Sequence, residues 1–151
     1  MQLREKLKPL HFQKVLLSPL VRAVETCKCA HLFEGAEIDP DLVEWNYGKY
    51  EGLTRTQIYE QDPNWSIFKD GAPGGESIED IGKRAERVLR KIADVPGDVA
   101  IFSSGHFLRV FTAKWLGLAA SEGRLFLLST ASISVLGYEY DNPVIIRWNS
   151  C

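Results

Sequence analysis

"VAIFSSGHFLRVF" (residues 99–111) decides the fold. Residues 99–103 form a continuous apolar run of the kind found in strands covered on both faces. A Ser-Gly-His turn follows, and "HFLRVFTAKWLGL" (106–118) reads as helix. Open α/β sheets hold their ligands where a strand ends and a helix begins, so Ser104, Gly105 and His106 stand where chemistry is expected. The same unit occurs earlier. "FQKVLL" (12–17) reads as a short buried strand and "SPLVRAVETCKCAHL" (18–32) as the helix after it. Ser18 is the expected N-cap and Pro19 the first helical residue. Leu20, Val24, Cys27 and Ala30 or His31 would form its buried stripe.

Outward from these two units the pattern stays α/β. Leu3, Leu7 and Leu10 lie at near-helical intervals, so residues 2–8 read as helix, stopped by Pro9. Residues 34–54 are turn-rich with a few extended positions, and "RTQIYEQ" (55–61) looks like a short helix. The loop "FKDGAPGGES" (68–77) precedes the clearest helix of the chain. Ser77 caps that helix, Asp80 sits in the reciprocal position, and Ile78, Ile81, Ala85, Leu89 and Ile92 form its apolar face. "SISVLGYEY" (132–140) and "NPVIIRWN" (142–149) read as a hairpin turning at Asp141-Asn142-Pro143. The expected architecture is one domain over residues 1–151, α/β, in three α/β/α layers with a mostly parallel sheet and a C-terminal hairpin.

Composition narrows the function. With 151 residues and 45% hydrophobic side chains the chain can bury a real core. A net charge of −2 at pH 7 gives no support for a nucleic-acid partner. No apolar run approaches the ~18 residues a membrane helix needs, and "MQLREKLKPL" lacks a signal peptide's apolar stretch. The expectation is a soluble cytoplasmic protein. Three cysteines make no disulfide framework, and no Cys/His set has zinc-like spacing, so no metal and no cofactor are expected. Cys27 reads as a small core residue.

Four stretches could carry chemistry. In "LLSPLVRAVET" a strand leads to a helix N-terminus, which favours an anion, and Arg22 one turn in can grip phosphate oxygens. An arginine there also reads as a solvated side chain. In "LVEWNYGKYEG" (42–52) a carboxyl at Glu44 shielded by Trp45 or Tyr47 would suit a general acid. Taken alone, Glu44 reads first as a surface glutamate in a turn. In "APGGES" (72–77) the glycines either admit a ligand or simply turn the chain before Ser77, and no Walker loop follows them. His106 either faces a pocket or packs. Lys49 and Arg55 are candidates for a second phosphate, though such cations are usually solvated.

Taken in order, the four stretches resemble the histidine phosphatase superfamily, also called phosphoglycerate-mutase-like. "SPLVRAVET" resembles its Ser-Pro-Leu-x-Arg-Ala-x-x-Thr motif, and "LVEWNYGKYEGL" its Leu-x-Glu-x-x-x-Gly-x-x-Glu-Gly segment. "PGGES" and "IFSSGHFLRVFTAKWLGL" match later blocks. The resemblance implies metal-free phosphoryl transfer on small phosphate esters: a histidine of an Arg-His-Gly motif attacks phosphorus, and a glutamate protonates the leaving oxygen. By position Arg22 is the phosphate-binding arginine, with Ser18 and His106 beside it, and Glu44 the proton donor. Gly75, Glu76 and Ser77 form a substrate-side loop, and Arg109 is mainly structural. The implied ligand is a small phosphorylated substrate, or a phosphate or sulfate ion.

Two departures stand out. No Arg-His-Gly occurs in the 151 residues. Ser104 stands where the family's second catalytic histidine precedes the glycine, and His106 occupies the variable place after it. Serine brings neither positive charge nor a usable proton near neutral pH. The expectation is an impaired or inactive chain, or a pseudophosphatase binding a phosphorylated metabolite or protein through Arg22. The family's first strand, central between residues 99–103 and 132–138, would also be missing. Each bare backbone group costs about 1–3 kcal/mol against a total stability of about 5–15 kcal/mol. Those two segments are therefore expected either to pair directly or to be completed by a homodimer.

Overall fold

A computed structural model describes residues 2–150. Helix α1 (Gln2–Leu7) leads to strand β1 (Lys14–Leu17), helix α2 (Val21–Cys29) and strand β2 (Ala36–Ile38). Helices α3 (Arg55–Gln61), α4 (Ile67–Asp70) and α5 (Ile78–Ile92) follow, then strand β3 (Val99–Phe102) and helix α6 (Gly105–Trp115). Strands β4 (Ile133–Glu139) and β5 (Asn142–Ser150) close the chain as an antiparallel hairpin. The order β2-β1-β3 is parallel throughout, with Leu17 opposite Ile38 on one side and Phe102 on the other. Met1 and Cys151 lie outside the described residues. Among the described residues no helix is long and apolar enough to cross a membrane.

Alternation along the strands sorts the core into two layers. Leu16 and Ile101 face α5 and α6, packing with Ile81, Ala85, Val88, Phe107, Val110 and Phe111. Val15, Leu17, Ala100 and Phe102 face the other way, against Ala23, Cys27 and Ala30 of α2 and Leu3 and Leu7 of α1. Cys27 is fully buried, and that burial pushes its thiol pKa up. α5 starts where the sequence places it: the Ser77 hydroxyl accepts from Asp80 N–H while the Asp80 carboxylate accepts from Ser77 N–H.

Several local expectations change. Ser18 does not cap α2, because its N–H is committed to the Phe102 carbonyl and its backbone still belongs to the sheet. The helix begins three residues later, with Leu20 as N-cap. Phe68 to Asp70, read as loop, belong to the one-turn helix α4, which buries Ile67 and Phe68. The hairpin turns at Tyr140-Asp141, where Tyr140 takes a positive φ of 54°, so Asn142 and Pro143 are already paired in β5.

The largest difference concerns the hairpin. Within the chain, residues 99–103 and 132–138 do not pair: β3 ends the three-stranded sheet and β4 pairs with β5 alone. The connection explains this. Residues 120–125 turn tightly against α6, held by Arg109 donating to the carbonyls of Gly123 and Arg124. Leu136 then packs on the α5/α6 layer and Tyr138 meets the Trp115 ring 5.1 Å away, so the hairpin is anchored by side chains rather than by a strand ladder.

Candidate active site

Because β1 and β3 pair in register, their C-terminal ends bring residues from distant parts of the chain together. Arg22, the second residue of α2, donates from Nη2 to Ser104 Oγ at 3.1 Å. Ser104 is the N-cap of α6, 6% exposed, and its hydroxyl makes no capping bond.

The position a capping side chain would take is held by Glu44. Its Oε1 accepts from the N–H groups of Trp45 and Phe107, both at 2.9 Å, and its Oε2 from His106 N–H at 3.1 Å. A carboxylate there answers the positive end of α6. It offers about four acceptor positions; these bonds take three, and the fourth lies on Oε2, on the side of Tyr47 and His106. That is the place on Glu44 from which a proton could be handed to a leaving oxygen.

His106 lies beside it. The Tyr47 hydroxyl and His106 Nδ1 share a hydrogen bond of 2.5 Å. Burial pushes the His106 pKa down, opposed by the Glu44 charge. Burial, with Glu44 and Glu51 nearby, pushes the Tyr47 phenol up. Both groups are thus neutral, and His106 is no phosphate-bearing cation. Arg109 lies over the Phe68 ring, 4.5 Å from its centre, and braces the 120–125 turn, in keeping with a structural role.

A second arginine, which the sequence reading missed, holds the Glu44 loop from behind. Arg84 is 6% exposed; it grips both oxygens of Glu76 and donates to the carbonyls of Asp41, Val43 and Glu44. Glu76 in turn accepts from Asn46 N–H. The loops touch backbone to backbone: a Cβ on Gly75 would lie 2.2 Å from the Asn46 carbonyl oxygen, and one on Gly48 2.3 Å from Pro73 O. Gly75, Glu76 and Ser77 therefore position the Glu44 loop and cap α5, and they do not line the cavity. The signal for Arg84 was present, since it lies three residues after Ile81 and beside Ala85 on the apolar flank of α5.

The resulting cavity holds about 310 Å³ and is lined by Leu20, Arg22, residues 43–47 and Glu51. Arg22 and Glu44 share it, and Ser104 is tied to it through Arg22. Ser18 is fully buried, its hydroxyl accepting from Leu20 N–H, and His106 is turned to Tyr47; neither is on the lining.

Comparison with known proteins gives the family and the fold. The sequence model of the histidine phosphatase superfamily (branch 1) matches residues 1–151. An acid phosphatase of Mycobacterium tuberculosis is 38% identical over 128 residues, covering 83% of this chain and 63% of its own length. A sedoheptulose 1,7-bisphosphatase of Saccharomyces cerevisiae is 33% identical over 102 residues, 56% of this chain and 38% of that protein. The chain thus spans less than two thirds of either relative. The solved structure of the Rv3214 open reading frame product of Mycobacterium tuberculosis superposes with a TM-score of 0.91 at 33% identity, over 98% of this chain and 78% of that one.

Proposed function

The chain belongs to the histidine phosphatase superfamily, and we propose that as this polypeptide it binds small phosphate esters at Arg22 without turning them over efficiently. One observation carries the reading: the Arg22 guanidinium and the Ser104 hydroxyl meet at 3.1 Å beside Glu44, in a cavity sized for a small ester. Arg22 would hold the phosphoryl oxygens, Ser104 would donate one hydrogen bond, and Glu44 would face the ester oxygen. Phosphoryl transfer needs preorganised positive charge around the spreading oxygens, and losing one such donor typically costs ~10²–10³ in rate.

None of the three histidines fills that role. His11 precedes β1 at the end opposite Ser18, His31 follows the far end of α2, and His106 is engaged by Tyr47. The test is titration with inorganic phosphate, followed by an aryl phosphate and a sugar-phosphate panel. Saturable binding that fails in Arg22→Ala, with neither phosphate release nor phosphohistidine, is expected. Turnover at the rate of active relatives, or absence of phosphate binding, would overturn the reading.

The proposal includes a homodimer. Among the described residues the outer edge of β3 has no strand partner, and its residues Val99, Ala100 and Ile101 are only half-buried. A second copy pairing there would satisfy those backbone groups. It also places the protein in the cytoplasm, where free thiols such as Cys27 and Cys29 persist.

A further inference from the structure

We infer that His106 supplies the proton of Glu44 through Tyr47, and that its ring changes tautomer when an anion settles beside Arg22. His106 is thus a positioning residue that acts through its neighbour. This extends the phosphate-binding reading of Arg22 and depends on it.

Three ionisable side chains meet behind the cavity wall. His106 Nδ1 and the Tyr47 hydroxyl share the 2.5 Å bond, and Glu44 Oε2 lies 4.0 Å from the same nitrogen. The Tyr47 phenol borders that carboxylate, which, after burial, helps to push the phenol pKa up. Three of the Glu44 acceptor positions are filled by the N–H groups of Trp45, His106 and Phe107, so the one beside Tyr47 remains. A phenol carries a single proton. While Glu44 is ionised, that proton makes its stronger bond to the charged oxygen. The Tyr47 oxygen then accepts from Nδ1–H, and His106 Nε2 is left bare. Nε2 has no hydrogen bond among the described residues, where the sealed side-chain polar atom without a partner is Trp115 Nε1; Nε2 therefore meets solvent.

An anion beside Arg22 shares its cavity with Glu44 and favours the protonated carboxyl. Nε2 takes a proton from solvent, Nδ1–H gives its proton to the Tyr47 oxygen, and the original phenol proton passes to Oε2. Each transfer breaks one bond to hydrogen and forms another, and no electrons are exchanged. The sum is one solvent proton added to Glu44, with Tyr47 still a phenol and His106 still neutral, now as Nε2–H. The surroundings keep charge off the ring: burial holds the His106 pKa down, Arg109 acts in the same direction, and Phe68 packs beside the ring, with Glu44 opposing. On Tyr47, Glu51 and Arg22 act in opposite senses.

Nitrogen NMR of the free protein near neutral pH should show His106 as Nδ1–H. Saturation with phenyl phosphate should convert it to Nε2–H. Titration calorimetry of the same ligand in buffers of different ionisation enthalpy, with the ligand's own proton balance subtracted, should show uptake of about half to one proton. Glu44→Gln should abolish both the uptake and the tautomer change. Tyr47→Phe should keep the uptake and lose the tautomer change, because it cuts the link alone. An Nε2–H ring in the free wild type, or binding with no tautomer change, would overturn the inference while phosphate binding stands; the first of these needs no variant to fold. Failure of both inorganic and phenyl phosphate to bind would remove the parent reading, and this one with it.

Discussion

Arg22 and Ser104 are 82 positions apart in the chain and 3.1 Å apart in the structure, the guanidinium donating to the hydroxyl. The contact joins the first turn of α2 to the cap of α6, at the end of the cavity proposed above to take phosphate. Each side of it can be removed separately.

Arg22→Ala should weaken inorganic phosphate binding about 10- to 100-fold, the size of charge-assisted hydrogen bonds worth about 1.5–3 kcal/mol. Ser104→Ala removes an uncharged partner and should cost less. Isothermal titration of both variants checks the order; equal losses would mean that Ser104 contacts the ligand as strongly as Arg22.

Glu44→Ala strips the α6 N-terminus of its acceptor for the His106 and Phe107 N–H groups, and Trp45 N–H of its partner in the loop. A lost cap costs about 0.5–2 kcal/mol, and urea denaturation should show a destabilisation in that range. Glu44→Gln keeps one acceptor oxygen and should cost less. A neutral result for both would detach Glu44 from the helix.

Arg84→Met should destabilise by about 3–5 kcal/mol, because it leaves Glu76 facing a pocket with no cation. The pair Arg84→Met with Glu76→Gln should recover part of this. Gain of stability in the single variant would show that the pair is not holding the loop.

Two acid limbs are expected. His106 has a folded pKa below its ordinary 6.5, so the unfolded chain takes the proton first and stability falls as pH drops through that value. The Arg87 and Lys91 groups beside Asp41 hold its carboxyl down from 3.8 to about 2, so its contribution is present above about pH 4 and lost as pH falls towards 2. His106→Gln should flatten the first limb and Asp41→Asn the second, read from unfolding free energy against pH.

Sedimentation equilibrium tests the homodimer. A dimer that dissociates on dilution is expected; a monomer at all concentrations in the wild type would contradict it.

The local code carried the elements that have a one-dimensional signal. The capping box at Ser77 and Asp80, the stripe of Ile81 and Ala85, and the apolar run into β3 are all set by neighbours within a turn, so they are legible in order along the chain. The same holds for Arg22 and Glu44, singled out by residue type beside a helix start and among aromatics. What could not be read was set by partners far away in sequence. Ser18 is held in extension of the sheet by the Phe102 carbonyl, so the helix starts after it, and Gly75 packs on the Asn46 backbone. His106 was buried against Tyr47, and Arg84 acquired its task from carbonyls some 40 residues upstream. Periodicity and capping depend on spacing, which a sequence states outright. Which donor meets which acceptor across the sheet depends on register and loop path, and only the folded chain decides that.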